Sequence, residues 1–313
     1  MSAARRVLAA LLLVLPAAAH AQPIDFSSVD EAVQAITAGG EVPGAVVLIG
    51  QGDEILYHRA FGLRGLLPDP VPMTTDTVFD VASLTKPLGT AIGVMALVER
   101  GAVKLDAPLG RYVKEFRSKA FEGVTVRRLL THSAGLPAIP KDRLIARGFP
   151  AAAAGLAKEK LDYPPGSAFQ YSDTGFILLG ELIRRVSGER LDHYLDRLLV
   201  RPLGLADTGF HPRAAMHARI APTEFHDGHL LQGEVHDPRA RALGGVAGHA
   251  GIFSTAPDLA RICRMLLAGG MLDGRRVLKP STVELMWTRS QEGRGTRALG
   301  WDINSSYAMI AAP

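Results

Sequence analysis

Ser83-Leu84-Thr85-Lys86 gives this 313-residue chain its first candidate for covalent chemistry, a serine and a lysine with the spacing S-x-x-K. Residues three apart share a helix face, so a hydroxyl and an ammonium so spaced can point into one cleft. A serine at a helix N-terminus also has backbone N–H groups nearby to hold an oxyanion. The chemistry implied is nucleophilic attack on a carbonyl, for which a serine needs an adjacent base. Alone, the pair more often marks a helix-capping serine beside a surface lysine.

Other spacings point elsewhere and are weaker. Thr131-His132-Ser133-Ala134-Gly135 approaches a nucleophile elbow, but Thr131 stands where G-x-S-x-G needs glycine. It reads as a turn after a short helix. His211, His217, His226, His229 and His236 crowd one loop-rich segment. Without H-E-x-x-H or a partnering cysteine they read as solvated loop histidines, and no metal site is expected. No P-loop or dinucleotide fingerprint is present.

The elements that must position these residues follow from periodicity. Ser28 and Glu31 form a capping-box pattern before Val29, Ala32, Val33 and Ile36, predicting a short amphipathic helix. Apolar residues 42–49 and alternating residues 55–61 flank Gln51-Gly52-Asp53, which predicts a hairpin. A helix is expected from Ser83 to Arg100, with Leu88, Ile92 and Met95 on one face. A second runs from Thr174 to Val186 with Gly188 as its C-cap, and a third follows Asp258 and ends at Gly269-Gly270. The pattern Leu259, Ile262, Cys263, Leu266 places the single cysteine in the core. Strands first and helices at the centre give an α+β architecture. A strand start at 298–303 leaves the sheet unfinished, and a lone hairpin is marginal without further strands or a packed helix.

Composition sets the class. Hydrophobic residues make up 47% and charged residues 21%, which excludes a disordered or collagen-like chain. Arg5 and Arg6 precede an apolar run, and Ala19-His20-Ala21 supplies an A-x-A cleavage site, so residues 1–21 read as a signal peptide cut after Ala21. Removing it takes the formal charge from +4 to +2, a slight excess that argues against nucleic acid as a partner. No cysteine follows the cleavage site, so no lipid anchor is expected. The expectation is a periplasmic or secreted domain over 22–313, with no disulfide and no membrane anchor after cleavage.

Flanking sequence narrows the reading. Asp80-Val81-Ala82 precedes the serine; then come residues 129–137 (LLTHSAGLP), residues 164–173 (PPGSAFQYSD) and residues 242–259 (ALGGVAGHAGIFSTAPDL). In this order, over roughly 28–303, the chain resembles the serine β-lactamase and penicillin-binding protein superfamily, specifically class C-like enzymes and their D-alanyl-D-alanine carboxypeptidase and esterase relatives. The resemblance implies a β-lactamase/transpeptidase-like fold, an antiparallel sheet with packed helices plus a helix-rich lobe. It makes Ser83 the acylated nucleophile, Lys86 its partner and Tyr171 the general base. A tyrosine with pKa near 10 needs lowering by about three, roughly 4 kcal/mol, to work at neutral pH; nearby ammonium groups supply such a shift in general, and Lys86 is one candidate.

Asp173 stands where many relatives carry Asn; it can accept from Lys86 but cannot donate an amide hydrogen bond to substrate. Asp173, His236 and His249 are the expected substrate-cleft residues by the same resemblance. The third family motif, K-T-G or H-T-G on a late strand, should lie beyond Trp301, and neither triplet occurs. His249-Ala250-Gly251 precedes a helix pattern and belongs to the cleft loop instead. The expectation is therefore a C-terminally truncated member, its last strands missing. The implied function is an exported serine hydrolase acting, without cofactor, on D-Ala-D-Ala peptides, β-lactams or small esters. The alternative is a catalytically impaired penicillin- or peptidoglycan-binding protein.

Overall fold

A computed structural model describes residues 24–146, 148–149 and 151–304. The expected signal peptide and residues 305–313 lie outside the described residues. The chain opens with helix α1 (Ser27–Ala38), followed by strands β1 (Gly44–Gln51) and β2 (Glu54–Gly65). These pair antiparallel from Gly44↔Gly62 to Gln51↔Glu54, with a register shift after Ile49, and Gly52 turns the hairpin at φ 57°. A short β3 (Val71–Pro72) adds to β2, giving the order β1-β2-β3. The hairpin falls where alternation placed it. The capping box does not form: Phe26 is the N-cap without a side-chain hydrogen bond, and Asp25 accepts from the Ser27 N–H instead. Helix α1 lies against β2, where Asp30 pairs with both Tyr57 and Arg59.

Strand β4 (Phe79–Asp80) leads into the nucleophile segment and pairs with β5 (Phe253–Ser254). The expected single helix from Ser83 is a composite. Ala82–Leu84 form a 3-10 turn, Lys86–Ala91 widen into a π turn, and only Ile92–Glu99 is α-helical (α2). Two features break regularity here: Ala82 sits at φ 46°, and Pro87 supplies no N–H to the ladder. Single π turns of this kind occur mostly at functional sites.

Helix α3 (Asp173–Ser187) begins at Ser172, whose Oγ accepts from the Gly175 N–H, and ends at Gly188 in the left-handed conformation (φ 77°). Both boundaries agree with the sequence reading within one residue. Helices α2 and α3 touch in the middle of the main core, where Ile92, Met95, Phe176 and Ile183 are fully buried. Each such side chain contributes about 1.5–3 kcal/mol of transfer free energy. Helix α4 (Ala256–Leu267) packs against β1 and is capped by Thr255.

Two sequence expectations are corrected. Cys263 is exposed. The buried stripe of α4 runs through Asp258, Ile262, Met265 and Leu266, and residue 263 lies about 100° beyond Ile262. Residues 298–303 are not a strand. Arg297 and Asp302 bridge across a turn in which Gly300 (φ 88°) donates to the Leu130 carbonyl. An ideal Cβ on Gly300 would lie 2.5 Å from the Ala91 Cβ, so this close approach requires glycine.

Candidate active site

Three segments meet around Lys86. Its ammonium donates to Ser83 Oγ at 3.0 Å and to the His249 carbonyl at 3.1 Å, and it pairs with Asp173 Oδ1 at 2.8 Å. The Lys86 side chain is 2% exposed, whereas Ser83 is exposed. The nucleophile candidate therefore faces outward while its partner is held from below. Lys86 Nζ also lies 4.8 Å from the centre of the Tyr171 ring and 6.0 Å from that of Phe176. Ser83, Lys86, Tyr171 and Asp173 thus form one cluster. Asp173 opens α3 and Tyr171 lies just before its N-cap, and both are placed there because Ser172 caps the helix and aims its first turn at the ammonium.

Each turn of the Ser83 segment is laced to residues 248–252. The Val81 N–H donates to the Ile252 carbonyl and Thr85 Oγ1 accepts from the Ile252 N–H. Thr90 Oγ1 donates to the Gly248 carbonyl at 2.8 Å. The same residues also pass tightly over α3, and there a glycine is required. An ideal Cβ on Gly248 would sit 2.0 Å from the Phe176 carbonyl oxygen of α3.

His249 is 1% exposed and its ring points inward, Nε2 lying 2.9 Å from Asp237 Oδ1. Its contribution next to Ser83 is its backbone carbonyl. Asp237 also accepts from the Arg239 and Ala240 N–H groups, capping the short helix Pro238–Ala242. Burial alone would raise the Asp237 carboxyl. The hydrogen bond and charge of His249, with those two amides, outweigh it and hold the group far below the usual carboxylate range. His236 is exposed and reaches the site through its backbone, its N–H donating to Asp80 Oδ2 at 2.7 Å. The other carboxylate oxygen, Asp80 Oδ1, accepts from the Ala82 N–H, which ties the turn before Ser83 to the His236 loop.

Asp173, Asp237 and His249 offer ligand atoms within 4.8 Å of one another. All three are already engaged: Asp173 by the Lys86 ammonium, and Asp237 and His249 by each other, with two amides also donating to Asp237. A cation there would sit beside a buried ammonium, so the grouping reads as an ion-pair network. Among the crowded loop histidines, His226 and His229 are exposed partners across a two-residue hairpin pairing.

Two residues to which sequence reasoning assigned no site role, His132 and Arg297, complete the site together with Asp237. His132 is buried against the Tyr171 ring, with centroids 4.5 Å apart. Asp237 anchors His249. Arg297 is 6% exposed, pairs with Asp302 at 2.7 Å and lies 5.6 Å from the Phe169 ring centre. Only the Thr131-His132-Ser133 motif gave a local signal, and it read as a turn.

An α+β fold with a serine on a distorted turn, a buried lysine three residues on and a tyrosine before the next helix is an arrangement of the serine hydrolase kind. Comparison with known proteins agrees. The Beta-lactamase family model matches residues 29–309, and the chain belongs to that family, within the serine β-lactamase and penicillin-binding protein superfamily. An Escherichia coli O157:H7 protein named "Putative D-alanyl-D-alanine carboxypeptidase" is 31% identical, over 88% of this chain and 71% of its own length. The E. coli K12 protein of that name is 32% identical, over 85% of this chain and 69% of its own. Among solved structures, an octameric penicillin-binding protein homologue from Pyrococcus abyssi aligns with a TM-score of 0.67 at 26% identity, covering 85% of this chain and 60% of that one. EstCE1, a hydrolase with promiscuous acyltransferase activity, aligns with a TM-score of 0.70 at 24% identity, covering 89% and 81%. No described helix is long and apolar enough to cross a membrane.

Proposed function

We propose that this chain hydrolyses amide or ester carbonyls through an acyl-Ser83 intermediate, acting outside the cytoplasm after loss of residues 1–21. The observation that carries the reading is the 3.0 Å contact between Lys86 Nζ and Ser83 Oγ, made beneath the Tyr171 ring. In this reading Ser83 Oγ attacks the carbonyl carbon and its proton passes to Tyr171, the general base, beside the Lys86 ammonium. The same proton returns to the leaving amine or alcohol as the tetrahedral intermediate collapses. Water then attacks the ester carbonyl of acyl-Ser83, releasing the acid and restoring the hydroxyl. The relatives' names favour D-Ala-D-Ala peptides, β-lactams or small esters as substrates.

A fluorescent penicillin and a fluorophosphonate test this directly. Wild type is expected to label and Ser83→Ala not; equal labelling of both overturns the nucleophile assignment. Tyr171→Phe keeps the ring and is expected to slow acylation by roughly 10²–10⁴, the usual worth of general acid–base catalysis. One observation favours a second reading, a penicillin- or peptidoglycan-binding protein that acylates without turning over. Asp173 stands where the resemblance expects Asn, pairs with Lys86 and cannot donate an amide hydrogen bond to a bound carbonyl. Stoichiometric labelling that persists for hours supports the second reading; released hydrolysis product supports the first.

A further inference from the structure

His132 grips the chain on both sides of Tyr171. Its carbonyl accepts from the Gln170 N–H at 2.9 Å, and its ring Nδ1 accepts from the Ser172 N–H at 2.9 Å. Between those two anchors, the Tyr171 ring stacks on the His132 ring at 4.5 Å and an interplanar angle of 26°. The imidazole is held in turn by Phe176, with centroids 5.0 Å apart, and by the edge of Phe169 at 6.3 Å. His132 is 2% exposed and takes φ 55°, a backbone conformation that is uncommon outside glycine and persists only when the surroundings impose it.

The hydrogen bond at Nδ1 fixes the chemistry of the ring. A nitrogen that accepts from a backbone N–H carries no proton, so His132 is the neutral tautomer protonated at Nε2. Burial first, then the positive charges of Arg297 and Lys86, push its pKa well below the ordinary 6.5, which keeps it neutral at working pH. The imidazole therefore cannot relay the serine proton as an imidazolium would, and its accepting nitrogen, Nδ1, is spent on the backbone of the tyrosine segment.

We propose that His132 is the positioning residue for Tyr171, fixing the tyrosine's backbone by two flanking hydrogen bonds and its ring plane by stacking. The inference rests on Tyr171 acting as the base, as proposed above. A neutral ring is suited to this task because it adds no third positive charge beside Lys86 and Arg297. A stacked, doubly anchored tyrosine also loses its rotamer freedom before substrate arrives, and small misplacements of a catalytic group cost up to about 10²-fold.

The test is a double-mutant cycle on acylation. His132→Asn keeps a side-chain acceptor and tolerates positive φ, but removes the stacked ring. It is expected to slow acylation by a fluorophosphonate about 10- to 100-fold through the rate of the chemical step, with the apparent binding constant for a fluorescent penicillin unchanged. In a Tyr171→Phe background the same change is expected to cost nothing further, because the group being positioned is already gone. Equal slowing in both backgrounds would make His132 merely structural and overturn the proposal, as would an unslowed single variant. A Tyr171→Phe protein that acylates at the wild-type rate instead sinks the base assignment itself, a different result. Far-UV circular dichroism checks folding. His132→Phe, which keeps the stack and loses the acceptor, runs the same cycle if the Asn variant does not fold.

Discussion

The ammonium of Lys86 and the carboxylate of Asp173 meet at 2.8 Å across 87 positions of sequence, one side chain 2% exposed and the other 17%. The pair joins the π turn after Ser83 to the first turn of α3, where a carboxylate also complements the helix dipole. Its other partners are neutral, Ser83 Oγ and the His249 carbonyl. Asp173 is thus the negative charge that offsets the cost of burying this ammonium.

Removing that charge leaves the lysine uncompensated. Breaking a buried pair from one side costs about 3–5 kcal/mol, and the partial exposure of Asp173 puts Asp173→Ala near the low end. Lys86→Met added to Asp173→Ala is expected to recover part of the loss, since no unpaired charge then remains. Urea unfolding of the two variants and wild type checks both statements. A double variant less stable than Asp173→Ala alone would contradict the account.

Gly248 predicts a second effect. Its ideal Cβ would lie 2.0 Å from the Phe176 carbonyl oxygen, a backbone atom that cannot swing away. Gly248→Ala is expected to cost about 3 kcal/mol, the upper end of ordinary overpacking. It should also lower Ser83 labelling, because the displaced loop carries the carbonyl that holds Lys86. Gly188→Ala, at φ 77° with no atom within 4 Å, should cost only about 1 kcal/mol and leave labelling intact. Thermal melts with parallel labelling separate the two.

How much of this was legible depended on sequence distance. S-x-x-K predicted the Lys86–Ser83 contact, and Ser172 to Gly188 outlined α3, because caps and periodicity are local. The π turn was not legible, since apolar spacing over Leu88 and Ile92 fits any helical winding. Cys263 was misplaced for a related reason: the window 259–266 is apolar on a wide arc, and only packing of α4 against β1 chooses which edge faces water. His132 carried a local motif, but its grip on residues 170 and 172 exists only after the chain folds across about 40 positions.

Acid should destabilise the protein earlier than carboxylates alone would. His132 has a folded pKa depressed by burial and by Arg297 and Lys86, so below about 6.5 the unfolded chain takes up a proton that the folded one does not. Stability attributable to this residue is complete above 6.5 and falls as pH drops toward the folded value, by up to about 1.4 kcal/mol per pH unit. Asp237, also depressed, adds loss of the same sign below its ordinary value of 3.8. Urea midpoints at pH 7.5, 6.0 and 5.0 should fall for wild type and fall less steeply for His132→Asn. Parallel slopes would assign the proton uptake to another group.

The last prediction concerns the sheet. Strand β1 pairs with β2 on one side, and among the described residues no strand pairs with its other edge. Residues 44–49 are apolar and only half buried, although α1 and α4 both contact the strand. An apolar edge of this length presents a row of backbone donors and acceptors to any similar strand, including that of a second molecule. The protein is therefore expected to self-associate through this edge. Net stability of a domain is only about 5–15 kcal/mol, so an unprotected edge weighs heavily. Size-exclusion chromatography beside thermal circular dichroism provides the check. A monomer that melts cooperatively at about 45–65 °C, the ordinary mesophilic range, would show that the two helices protect β1 well enough.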